Sequence, residues 1–137
     1  MKGIAIDLAA LGDTDPLWRA WLEDATRRFR VDASALDDEL PNWRQLLGRY
    51  AEERAPVYFR RDADVSNALR RLRAEGARVA VFTDAPEELA RVALAHLGAS
   101  RRIEALESGN GAEERALARV GIDAMIVRTR EQLLAVT

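Results

Sequence analysis

No cysteine occurs among the 137 residues, which excludes disulfide scaffolds, thiolate metal sites and thiol nucleophiles. A single histidine, His96, rules out a His–His metal pair and makes a Ser–His catalytic system a poor fit. Lysine occurs once, at Lys2, and arginine supplies the rest of the 21 basic residues. Against 23 acidic residues the net charge is −2, with a pI near 5.5, so a strongly basic binder of nucleic acid is not expected. Long apolar runs are also missing. The run near the N-terminus is interrupted by Asp7 and falls well short of the roughly 20 residues that span a bilayer. Neither a secretory signal nor a membrane helix is expected, and the expectation is a soluble cytoplasmic protein with no membrane partner.

What is present is enough apolar residue, 48%, for the core of one domain. Residues 3–8 (GIAIDL) and 78–82 (RVAVF) are short apolar runs with Val and Ile, bounded by Gly and polar residues, and read as buried parallel strands. Residues 124–127 (AMIV) are a third candidate and 103–106 (IEAL) a weaker fourth. Helical stripes separate them. Val65, Ala68, Leu69 and Leu72 form one, with Asp62 or Asp64 as cap and Gly76 as stop. Leu89, Val92, Ala93 and Leu97 form the next, with Asp84 as N-cap, Pro86 in the first turn and Gly98 as stop. A third helix covers 112–120 and a short last one follows Thr129. This alternation predicts an α/β fold, a three-layer Rossmann-like parallel sheet.

Residues 14–60 break the rhythm. Trp18, Trp21, Leu22, Ala25 and Phe29 make one helical stripe, and Trp43, Leu46, Leu47 and Tyr50 another. Seven of the eight aromatic residues lie between Trp18 and Phe59, so the cap is expected to be held by aromatic packing, with Trp21 and Trp43 facing each other or the sheet. The organisation predicted is a core of residues 1–13 and 61–137 with a small helical insertion at 14–60.

Asp7 ends the first strand, where open α/β sheets place their ligands, and an unpaired carboxylate in an apolar sequence is costly to bury. Its alternative role is to cap a loop. Thr83 and Asp84 follow the second strand directly and precede a helix, so a hydroxyl and free backbone N–H groups there suit an anion. Simple helix capping is the alternative.

Together these stretches resemble the haloacid dehalogenase-like superfamily, in its phosphatase (phosphoglycolate-phosphatase-like) branch with a short helical cap. GIAIDLAALGDTDPLWRAWL is similar to the first motif running into a cap. DADVSNALRRLRAEGARVAVFTDAPEELARVALAHLG is similar to the helix, second motif and following helix, and ERALARVGID to the helix after the third motif. The resemblance implies a strand order of third, second, first, fourth. It puts Asp7 on the nucleophile that forms an aspartyl-phosphate and Thr83 on the hydroxyl that binds a phosphoryl oxygen.

The remaining family positions do not match. Ala9 stands where the general acid/base Asp is expected, and a methyl group can neither protonate a leaving group nor activate water. The turn is one residue short; Asp13 and Asp15 read as caps of the next helix. No lysine lies between residues 99 and 127. Glu107 falls nearest the third-motif Lys, with Arg101 or Arg102 as possible stand-ins. The last strand runs into Arg128-Thr129-Arg130 rather than into acidic Mg²⁺ ligands. No metal or other cofactor is therefore expected, Mg²⁺ belonging only to an active hydrolase. His96 reads as a partly buried packing residue near a helix C-terminus. Glu113, Glu114, Asp37, Asp38 and Glu39 read as solvated or capping, and Arg70, Arg71 and Arg73 as solvated.

Two readings follow. In the first, the chain is a degenerate member of this fold that does not turn over phosphate esters and acts as a binding or interaction module. Its partner is then a small phosphorylated molecule or a protein, with residual phosphate binding at Thr83, Asp84, Arg128 and Arg130. In the second, it is a hydrolase or phosphotransferase that uses Asp7 as nucleophile in an altered site, with Arg128 and Arg130 supplying positive charge.

Overall fold

A computed structural model describes residues 2–136. Four short strands, β1 (Gly3–Asp7), β2 (Arg78–Thr83), β3 (Ala105–Ser108) and β4 (Met125–Val127), pair in parallel in the order β3-β2-β1-β4. β1 is thus interior, as the resemblance implies. Phe82 apart, the pleat separates the side chains by size. Ile4, Ile6, Val79, Val81 and Val127 fill one face, and Ala5, Ala80, Phe82 and Ala105 the other.

Helices α4 (Ala63–Ala74), α5 (Glu87–His96) and α7 (Arg130–Ala135) pack on the large-residue face. Only α6 (Ala112–Val120) covers the small-residue face among the described residues, through Ala112, Ala116 and Val120. Small residues on both sides let α6 approach closely: a Cβ on Gly3 would lie 2.1 Å from the Val120 carbonyl oxygen. The helix placement follows from handedness. The β1→β2 and β2→β3 steps run the same way and put α4 and α5 on one face. The return from β3 past β2 and β1 to β4 puts α6 on the other.

Between β1 and α4 the chain is helical: α1 (Asp15–Phe29), α2 (Leu36–Glu39) and α3 (Trp43–Tyr58), with no strand in residues 14–60. The buried faces overlap the stripes read from the sequence only in part: Leu17, Trp21 and Ala25 are buried on α1 and Trp43, Leu47, Ala51 and Ala55 on α3, whereas Trp18, Leu22, Leu46 and Tyr50 are half-buried and Phe29 is exposed. The buried residues join Ile4, Leu89, Ala90 and Leu94 in one continuous core. α3 lies along α5, with Arg44 3.0 Å from Glu88 and His96 3.8 Å from Glu52. Trp21 and Trp43 face each other at 6.0 Å between ring centroids, and Trp18 stacks on Trp21 at 5.6 Å. The Trp43 indole N–H donates to Asp37 at 2.7 Å, so Asp37, exposed as expected, is also an acceptor.

Caps fall close to the expected places. Asp62 accepts from the N–H groups of Asp64 and Val65 at the start of α4, and Thr129 and Gln132 form a reciprocal capping box on α7. Asp84 departs from expectation. Pro86 occupies the N-cap of α5, and the free N–H of Ala85 is taken by the Thr83 hydroxyl oxygen at 3.1 Å. No described helix is long and apolar enough to cross a membrane.

Candidate functional site

Parallel strands bring their carboxyl ends to one edge, and the loops that leave β1, β2, β3 and β4 surround a cleft there of about 940 Å³. The start of α1, the turn at 33–35, α2 and Trp43 close its other side, so the helical insertion overhangs the strand ends.

Asp7 lines the cleft at half burial. Its Oδ1 accepts the Ala9 N–H at 3.0 Å and caps the single turn that follows β1. Both roles weighed from the sequence, strand-end carboxylate and loop cap, therefore fall on one side chain. Asp7 pairs with Phe82 across β1 and β2, so Thr83 stands one residue further on the neighbouring strand. Alternation sends Asp7 and Phe82 toward α6 and Thr83 toward α5, and the two polar groups reach the cleft from opposite sides of the sheet. Thr83 is 8% exposed, the one buried polar residue among those described. Its hydroxyl accepts from Ala85, and its carbonyl accepts the Gly109 N–H at 3.0 Å, tying β2 to the loop after β3.

Arg128 enters from the end of β4. Its guanidinium lies 2.7 Å from Glu113 at the start of α6 and 6.0 Å from the Phe82 ring centroid. The Glu113 hydrogen bond first, with further attraction from Glu113 and Asp7, holds the guanidinium above its ordinary pKa. Glu113 was not legible as a site residue. It lies 15 residues before Arg128 on another element, and no local pattern joins them.

Arg130 does not join the site. It lies outside the cleft and pairs with Asp62 at 2.7 Å and Asp64 at 3.3 Å, binding α7 to the start of α4. This pairing holds the Asp62 carboxyl below the usual range, helped by the α4 backbone N–H groups. Asp84 lines the cleft but is exposed, and its side chain makes no hydrogen bond among the described residues. Glu107, nearest the third-motif Lys, sits on β3 and accepts from Arg115 at 3.0 Å and Arg119 at 3.4 Å. Arg101 and Arg102 line a different groove.

The charge of the cleft is lopsided. Asp7 and Asp84 follow strands, Asp13 and Asp15 open α1, Asp37 and Asp38 belong to α2, and Glu113 and Glu114 open α6. Arg128 is the single basic residue lining the cleft among those described. A phosphate dianion about 8 Å from one unpaired carboxylate is opposed by about 1 kcal/mol before salt screening.

Mg²⁺ is held through one or two carboxylates together with waters and substrate oxygens, and of the positions that the resemblance would give it, Asp7 alone carries a carboxylate. Among the described residues no three of His, Asp or Glu form a group able to hold an ion. Ala9 offers only its N–H, and that goes to Asp7. Thr129, where a carboxylate would be needed, spends its side chain on the Gln132 N–H.

The parallel sheet with an interior β1, helices on both faces and a helical insertion over the strand ends matches a haloacid dehalogenase-like, Rossmann-type fold. The chain superposes on the crystal structure described as "putative beta-phosphoglucomutase from Thermotoga maritima" with a TM-score of 0.58 and 18% identity. The match covers 93% of this chain and 75% of that one. No family model matches the sequence, and no curated protein matches it.

Proposed function

We propose that this chain is a binding module on the haloacid dehalogenase-like fold that does not turn over phosphate monoesters at a useful rate. The observation that carries this reading is the state of Asp7. Its carboxylate accepts the Ala9 N–H, and the residue that donates is the one that would need an acid side chain. Attack by Asp7 on phosphorus would form one P–O bond and break the bond to the leaving oxygen, which then needs a proton. Ala9 has none to give, and hydrolysis of the acyl phosphate needs a base that Ala9 is not. General acid/base help is worth about a hundred- to ten-thousand-fold.

Residual phosphate binding in the cleft falls to the Thr83 hydroxyl and Arg128, against the surrounding carboxylates, and is weak. A ligand bearing positive charge fits the cleft better than a phosphate ester does. The survival of Asp7 and Thr83 on adjacent strand ends is what favours the second reading, an altered hydrolase.

The test is a generic phosphatase assay with p-nitrophenyl phosphate, run with Mg²⁺, Mn²⁺, Co²⁺ and no metal. The expected result is turnover indistinguishable from that of Asp7→Asn. Ala9→Asp alone is expected not to create activity, because the turn remains short and the other acids remain absent. Robust turnover that Asp7→Asn abolishes would overturn the proposal and establish the hydrolase.

A further inference from the structure

A second concave region, of about 780 Å³, lies between α4 and the turn after α5 and shares no lining residue with the cleft. Five arginines line it. Arg61 precedes α4, Arg70 and Arg73 stand one turn apart on α4, and Arg101 and Arg102 belong to the single turn at 100–102. No carboxylate lines it. None of the five makes an ion pair among the described residues, whereas nine other arginines of the chain do.

Neutral groups hold these side chains instead. Arg73 donates to the Arg101 carbonyl, Arg102 to the Gly98 carbonyl at 2.9 Å, and Arg70 to the Asn67 side-chain oxygen at 3.2 Å. Arg61 runs past Gly98, where a Cβ would come within 3.0 Å of its Nε. The Arg70, Arg73 and Arg102 guanidinium groups are therefore oriented without being neutralised. Each has five N–H donors, and carbonyl anchoring leaves most of them free for a ligand.

We propose that this groove binds a compact ligand carrying several phosphate groups in series. Guanidinium forks match phosphate oxygens in charge and geometry, and converging like charges favour a polyanion over a single phosphate. The volume suits a ligand of nucleotide size. No aromatic side chain lines the groove, so it offers no platform on which bases stack, and the phosphate groups are what it recognises.

The test is calorimetric titration of the full chain with sodium tripolyphosphate at low salt. Saturable binding at one site is expected, weakening as salt is added. The R70Q/R73Q variant is expected to bind about tenfold or more weakly, the loss of two charge-assisted contacts. R101Q serves as a second variant, since the described structure gives its guanidinium no partner, and it is expected to weaken binding by about threefold. R27Q/R28Q removes the same two charges from α1 and is expected to leave binding within about twofold. Thermal melts check that each variant is folded. No saturable binding, equal weakening by R27Q/R28Q, or insensitivity to salt overturns the proposal. So does preference for a single-stranded RNA oligomer over tripolyphosphate, which would make the groove a nucleic-acid surface.

Discussion

The Arg128 guanidinium and the Glu113 carboxylate, 2.7 Å apart, join the end of β4 to the start of α6 across the mouth of the cleft. The one basic residue lining the cleft among those described is thus already committed. Glu113→Gln removes a negative charge and loosens that commitment. Inorganic phosphate is expected to bind the variant about threefold more tightly than the unmodified chain, as loss of one nearby like charge implies. Titration followed by ³¹P NMR reads this directly. An unchanged or weaker affinity would show that Arg128 is not the phosphate contact.

The same substitution has opposite signs at two glycines. At Gly3 an added methyl meets the Val120 carbonyl 2.1 Å away, and β1 or α6 must move. Gly3→Ala is expected to cost about 1–3 kcal/mol, the range for overpacking. Gly48 lies inside α3, and its added Cβ would meet only Glu88 Cβ, at 3.9 Å. Gly48→Ala is expected to stabilise by about 0.5–1 kcal/mol by relieving the helix of glycine's chain freedom. Urea midpoints measure both.

Trp43 is buried, faces Trp18 and Trp21 and donates to Asp37. Trp43→Ala is expected to lose about 3–5 kcal/mol, a large share of a small domain's stability. Because α1 and α3 share one core with the sheet, the loss should appear as a lower midpoint of a single transition. An unchanged midpoint would count against the packing described.

Asp62 contributes to acid stability. Arg130 and the α4 N–H groups hold its carboxyl below the ordinary range in the folded chain. The folded pKa is depressed, so its contribution is fully present above the unfolded value near 3.9 and is lost as pH falls through the lower folded value. Asp62→Asn keeps a capping acceptor and removes the charge. The variant should therefore show a shallower fall in stability below about pH 4. Asp62→Ala removes the cap as well and is expected to cost about 1 kcal/mol more at neutral pH.

The strands and helical segments were legible because each rests on local periodicity, and the strand order because the resemblance to a known family implied it. Ile4 and Ile6 advertise a buried strand within five residues. Asp7 and Thr83 were legible for the same reason, each being the first polar residue after such a run. The long-range ion pairs around the cleft were not. Arg130 and Asp62 are 68 residues apart, and adjacency to the last strand drew Arg130 toward the cleft when its partner lies at the start of α4. The acidity of the cleft is built from residues on five separate segments, none of which looks like a site alone. Arg70 and Arg73 show a solvated face in sequence, and only the turn carrying Arg101 and Arg102 turns that face into a groove. Asp84 failed as a cap by a small margin. Pro86 took the position, and a proline has no N–H for a cap to satisfy.

All three tryptophans of the chain stand within one cluster, with centroids 5.6 to 6.0 Å apart, and Trp18 and Trp43 also line the cleft. At such separations the strong far-ultraviolet transitions of neighbouring indoles couple, and the circular dichroism that results depends on their mutual angles. The cluster therefore gives the protein an optical label of its own for the seating of the helices over the strand ends.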